Sequence, residues 1–275
     1  MSHPAGPAAA RVDRGWLALR GPADAAARSP AAVPLAAQLT RHLRQRLDRS
    51  GRPASLVDVG AGTGAGAAWL RGLLPLRQDW RLLDSDAELL AAAGPVREGW
   101  ARPIVADVTA LGTLLAAEPA DVVTCQALLD LFTAGQVDAM LEPAIAARSA
   151  VLLGLTVTGE VQISPPDPDD AAVSAHFNAH QRRSGRLGPD AAARAATVLR
   201  GHGYVVTGVP TPWRLDGCAL ATRWLDGRAA AAAEQSPRDG ALVRLWLHRR
   251  LNAVRSGDFA ATVGHLDVLG VPPPG

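Results

Sequence analysis

The feature that most constrains what this chain can fold into is a run of alternating glycines set between a β-branched segment and an alanine-rich one. Leu56-Val57-Asp58-Val59-Gly60-Ala61-Gly62-Thr63-Gly64-Ala65-Gly66-Ala67-Ala68-Trp69-Leu70 reads as a strand, a tight turn and a helix. Glycine suits such a turn because the backbone takes conformations closed to residues with a Cβ, and because a ligand can then lie on the main chain. The first N–H groups of the following helix lack intrahelical partners and favour an anionic or electron-rich ligand. The stretch therefore implies a nucleotide-like cofactor.

The spacing alone leaves the cofactor open, since Gly62-x-Gly64-x-x-Ala67 also satisfies the dinucleotide fingerprint. The informative residue is Asp58, two positions before the first glycine near the end of an apolar strand. A carboxylate buried there without a partner is costly, so it is expected to face the ligand or the N–H groups of the turn. The order Asp58-x-Gly60-x-Gly62-x-Gly64 resembles the first motif of class I S-adenosylmethionine-dependent methyltransferases.

Other strand ends repeat the pattern. Trp80–Asp84 reads as a second strand ending in an acid, and Asp84 lies 24 positions past Gly60. A carboxylate near that distance can accept both hydroxyls of a ribose. Asp86 suits the N-cap of the helix that follows over Ala87–Ala93. Pro103–Val108 reads as a third strand carrying Asp107, and Asp121–Cys125 as a fourth leading into Gln126. The resemblance implies cofactor contacts at Asp58, Gly60, Gly62, Gly64, Asp84, Ser85, Asp107, Val108 and Gln126, with Asp107 accepting from the adenine amine. Asp107 read without the resemblance is an N-terminal helix acid. Cys125 ends a buried strand and is assigned to packing. Asp130 is either an acceptor contact or a solvent-facing residue.

Ala150–Thr158 is almost continuously apolar and reads as a central fifth strand, and Ser164-Pro165-Pro166 then ends the sheet. Beyond it, His176-Phe177-Asn178-Ala179-His180-Gln181-Arg182-Arg183 gathers polar groups past the carboxyl end of that strand, the ligand side of an open parallel sheet. If helical, it puts His176 and His180 on one face. It offers no third and fourth zinc ligand nearby, so no metal site is expected. One reading makes His176 or His180 a general base, with Asn178, Arg182 and Arg183 binding the acceptor. The other is a polar surface helix.

Two helices, Arg14–Arg28 and Pro34–Leu47, precede the glycine turn and either cover the cofactor or pack on the sheet. Tyr204–Val209 reads as a sixth strand. Asp216–Ala233 and Ala241–Arg255 read as helices inserted before a seventh at Phe259–Val268, where His265 is an ordinary strand residue. The expected architecture is α/β: a three-layer α-β-α Rossmann-like fold with a seven-stranded sheet. The sheet is mostly parallel with an antiparallel last strand, after N-terminal helices and with a helical insertion before the last strand. Residues 1–12 are expected as a disordered tail, 13–50 as a helical cap, 51–270 as the cofactor-binding domain with its insertion at about 214–256, and 271–275 as a tail.

Composition narrows the partners. The 275 residues contain no Lys; 28 Arg stand against 26 acids, with a net charge of +2. Aromatic residues make up 4% of the chain. Scattered arginines without interleaved aromatics argue against a nucleic-acid face and for a small-molecule acceptor. Two cysteines without a CxxC pair fit a reducing cytoplasm, and no apolar run is long enough for a membrane span. The resemblance thus implies S-adenosylmethionine as cofactor and methyl transfer as activity. The alternatives are an NAD(P)-binding oxidoreductase and a non-catalytic binding protein on the same fold. A Lys-free chain cannot carry a Tyr-x-x-x-Lys pair.

Overall fold

The computed structural model describes residues 14–29, 32–47, 50–217 and 219–273. The tail expected at 1–12, the last two residues and Cys218 lie outside them. Helices α1 (Arg14–Arg28) and α2 (Val33–Leu47) come first. They are followed by β1 (Ala54–Val59), α3 (Ala65–Leu73), β2 (Gln78–Asp84), α4 (Ala87–Ala92), α5 (Gly94–Arg97), β3 (Ala101–Val105), α6 (Leu111–Ala117), β4 (Val122–Gln126) and α7 (Ala134–Ala146). The second half runs β5 (Ala150–Ser164), α8 (Asp170–Gln181), α9 (Ala191–Gly201), β6 (Val205–Pro210), β7 (Trp213–Asp216), α10 (Ala219–Gln235), α11 (Gly240–Ser256) and β8 (Ala260–Val271).

The strands form one sheet in the order β3-β2-β1-β4-β5-β8-β6, with β7 also paired to β8. β1 to β5 are parallel, whereas β8 runs antiparallel to β5, β6 and β7. Alternation of side chains sends Val57, Val59, Leu83, Val123, Cys125 and Leu153 to one face, where α6, α7 and α9 cover them. Leu56, Trp80, Leu82, Val122 and Leu152 point to the other face, beneath α2 and α3. This is the three-layer Rossmann-like arrangement.

Local chemistry sets the element ends. Asp86 caps α4 by accepting from the N–H groups of Glu88 and Leu89, and Thr133 with Gln136 forms a capping box on α7. On α2 the helical spacing buries Leu35, Leu39, Leu43 and Leu47. At about 2 kcal/mol for a fully buried leucine, that stripe makes α2 a fixed part of the sheet layer. Of the two roles open to the N-terminal helices, α2 packs on the sheet.

Three boundaries differ from the sequence expectation. The sheet has eight strands, because Trp213–Asp216 alternates buried and exposed and pairs with β8 through Trp213↔Val263 and Asp216↔Ala260. Four residues give too short a period-two signal to stand out from the helical pattern that follows. The third strand ends at Val105, and Asp107 and Val108 enter a 3-10 turn instead. β5 runs on to Ser164: its last residue paired with β4 is Gly154, opposite Gln126, and beyond that level it pairs only with β8.

That overhang carries a lobe. Trp213, Leu215, Trp224, Leu225, Val243, Trp246 and Phe259 form a separate apolar core there, on which Trp16, Ala23 and Ala27 of α1 pack. Thus α1 belongs to the lobe, while α2 belongs to the sheet.

Candidate functional site

The glycine turn projects from the carboxyl end of β1, between the ends of β2 and β4. Gly62 has φ +54°, and a Cβ built on it would meet nothing within 4 Å, so its main chain faces open space. At Gly64, with φ +75°, a Cβ would lie 2.6 Å from Pro95. The first glycine leaves room for a ligand, and the second lets α5 pack against the turn.

Asp84 ties the next strand to this turn. One carboxylate oxygen accepts from the Gly62 N–H at 2.7 Å and the other from the Asp86 N–H at 2.9 Å. A carboxylate oxygen has a second lone pair, so both remain able to accept from a ligand hydroxyl. Ser85 beside it is exposed.

Asp58 is 1% exposed. The Thr124 hydroxyl, its register neighbour in β4, donates to it, and no turn N–H does so among the described residues. Burial raises its pKa to about 7, against the opposing effects of the Thr124 bond and the Arg28 charge. Asp107 is exposed and caps the turn that begins at Val108, accepting from the Thr109 N–H at 2.7 Å and from its hydroxyl. These bonds hold its pKa below the usual value. Val108 is buried in the core.

Sequence reasoning missed Arg28. This last residue of α1 is 4% exposed, donates to the Gln126 side-chain oxygen, and stacks 4.2 Å from the Trp69 ring of α3. Its Nε lies 3.6 Å from Asp267 of β8. Arg28 Nε and the Gln126 amide nitrogen are both buried without a hydrogen-bond partner. Asp130 stands near Arg20 and Arg186, and burial raises its pKa. Asp267, Asp24 and Asp58 thus stand around the buried Arg28 guanidinium. Arg28 could have been singled out only as the basic residue in the last turn of α1.

The second group of predicted residues stands on α8 or just past it, and no hydrogen bond joins it to the first among the described residues. His176 lies 3.0 Å from Asp239, and His180 lies 3.2 Å from Glu234 of α10. Arg183 also pairs with Glu234, and Arg182 forms a two-pronged bond with Asp190 at 2.6 and 2.9 Å. Asn178 donates to the Gly159 carbonyl at 3.0 Å. His176 and His180 do share a face, but that face is turned to α10 and the segment after it. The buried Nδ1 of His180 and side-chain oxygen of Asn178 have no partner.

Among the described residues, no three His, Cys, Asp or Glu side chains are grouped to hold a metal ion, and no helix is long and apolar enough to cross a membrane.

Solved structures share this fold. A candidate type II methyltransferase from Anaeromyxobacter dehalogenans aligns over 88% of this chain and 98% of its own, with a TM-score of 0.52 at 13% identity. A cyclopropane-fatty-acyl-phospholipid synthase-like protein from Lactobacillus casei aligns over 86% and 92%, with a TM-score of 0.50 at 13% identity. A mycolic acid cyclopropane synthase, solved with S-adenosylhomocysteine, aligns over 78% and 79% with a TM-score of 0.39 at 16% identity. No protein-family model and no curated protein matches the sequence. The chain shares its Rossmann-like fold with the candidate methyltransferase and the synthase-like protein.

Proposed function

We propose that this chain is an S-adenosylmethionine-dependent methyltransferase acting on a small-molecule acceptor. The observation that carries the reading is the bridge from the Gly62 N–H to Asp84, which holds an open glycine main chain beside a ribose-competent carboxylate. The charge pattern fits the cofactor. Arg28 suits its carboxylate, the buried acids suit its ammonium and sulfonium, and the orphaned nitrogens of Arg28 and Gln126 are donors awaiting acceptors.

When bound, the cofactor supplies an activated methyl group for in-line displacement by an acceptor O, N, S or C atom. The protein's part is alignment and exclusion of water. Gly62 admits the ligand to the main chain, Asp84 orients the ribose, and Asp107 serves the adenine amine from its exposed cap. Ser85 and Val108 flank these two acids. Arg28 and Trp69 close the site from the α1 side. His176 and His180 are base candidates, with Asn178, Arg182 and Arg183 on the acceptor side.

The oxidoreductase reading loses ground to one feature. β8 enters antiparallel between β5 and β6, whereas the dinucleotide fold has the order 3-2-1-4-5-6 throughout. Thermal shift with S-adenosylmethionine and, separately, NADH tests the choice. Stabilisation by NADH alone would overturn the proposal. Formation of S-adenosylhomocysteine with a cell extract as acceptor source then separates an enzyme from a binder.

A further inference from the structure

Among the described residues four arginines are buried: Arg28, Arg81, Arg228 and Arg250. Three reach a carboxylate within 4 Å, namely Asp267, Glu118 and Asp170 respectively. Arg228 of α10 reaches none. It is 2% exposed, its Nε has no partner, and its one hydrogen bond goes to the Ser174 hydroxyl of α8 at 2.8 Å. Its guanidinium carbon lies 4.5 Å from the Phe177 ring centre and 5.2 Å from that of Trp224. Burial pulls its pKa down to about 10, with only Asp170 opposing, and that carboxylate is already bonded by Arg250 and Trp246.

Aromatic stacking takes up the flat faces of a guanidinium and leaves its in-plane N–H groups for an acceptor. A hydroxyl and two rings do not replace the hydration of a buried cation, which an anion would. Ser174 and Phe177, the α8 residues that touch the guanidinium, are half-buried rather than sealed. The seam sits in the lobe borne by the overhang of β5, beyond the carboxyl end of β4.

We infer that this seam is an oxyanion subsite, in which Arg228 and Ser174 hold a carboxylate or phosphate carried by the methyl acceptor. The inference rests on the methyltransferase reading for the word acceptor, though not for the anion site. Asp239, Glu234 and Asp170 are committed to His176, to His180 with Arg183, and to Arg250, so no described acid competes for Arg228.

The test is isothermal titration of the full chain with sodium benzoate and with inorganic phosphate, each alone and with saturating S-adenosylhomocysteine. Wild type should bind one of the two saturably, and which one binds distinguishes carboxylate from phosphate. Arg228→Met, which keeps the apolar stem, should weaken that binding at least tenfold. Should that variant fail to fold by circular dichroism, Ser174→Ala leaves the guanidinium in place and should weaken binding severalfold. Absence of saturable binding in wild type, equal affinity in the foldable variant, or competition with S-adenosylhomocysteine would overturn the inference. Anion binding without affinity for S-adenosylhomocysteine would instead overturn the cofactor reading and leave the anion site standing.

Discussion

Arg28 at the end of α1 and Asp267 in β8 face each other across 3.6 Å, both nearly sealed from solvent. Asp267 also accepts from the Leu155 N–H at 2.7 Å and from the Thr211 hydroxyl at 2.8 Å, so one carboxylate fixes α1, the bulge in β5 and the approach to β7. Removing one partner of a buried pair costs about 3–5 kcal/mol, because the remaining charge is stranded. Asp267→Asn should lose stability in that range by urea unfolding, while Arg28→Met should lose less, because burial already raises the pKa of Asp267 and its carboxyl can take up a proton. An Asp267→Asn protein as stable as wild type would show that the pair holds nothing together.

Gly62→Val should fold and fail to bind. The left-handed backbone costs a Cβ-bearing residue about 1–2 kcal/mol, and the new side chain would project into the space now open above the turn. Calorimetry with S-adenosylhomocysteine should register no heat, while the unfolding midpoint moves only slightly.

Asp84→Asn retains an acceptor for one N–H but loses the charge that both backbone bonds and a ribose would use. Hydrogen bonds to charged groups are worth about 1.5–3 kcal/mol, so S-adenosylhomocysteine affinity should fall roughly 10- to 100-fold. An affinity within twofold of wild type would remove Asp84 from the site.

Asp58 makes stability depend on pH in a definite direction. Its folded pKa, about 7, lies above the value of 3.8 for the free side chain. Between those values the folded state binds the extra proton, so stability falls as pH rises from about 4 to 7 and levels off above. The full drop is on the order of 4 kcal/mol, and Asp58→Asn should flatten it. Binding of a cation beside Asp58 favours the carboxylate. Below pH 7, cofactor binding should therefore release protons, read as a binding enthalpy that varies with the buffer's ionisation heat.

What could be read from the sequence was whatever lay along a single segment. Asp58, Asp84 and the glycines between them mark strand ends, because each signal is local and short in range, whereas Asp107 lies two residues past its strand. Arg28 was out of reach, since its importance comes from Gln126, Trp69 and Asp267, residues 98, 41 and 239 positions away in the chain. The α8 histidines were correctly placed on one face, yet nothing local says that this face meets Asp239 and Glu234. β7 was hidden for a similar reason: four residues become a strand only because β8 is there to pair with them.

The extension of β5 past Gly154 also has a mechanical meaning. From Val161 to Ser164 the lobe is carried on a ribbon of β5, β8 and β7, with register shifts between Leu153 and Val161, and Arg28 ties α1 back to the sheet. Narrow ribbons twist more than broad sheets, and bulges add to the twist. The angle between the lobe and the sheet is thus set in part by the shifted stretch of β5 that Asn178 also bonds at Gly159. Lengthening or straightening that neck would resize the gap between the two groups.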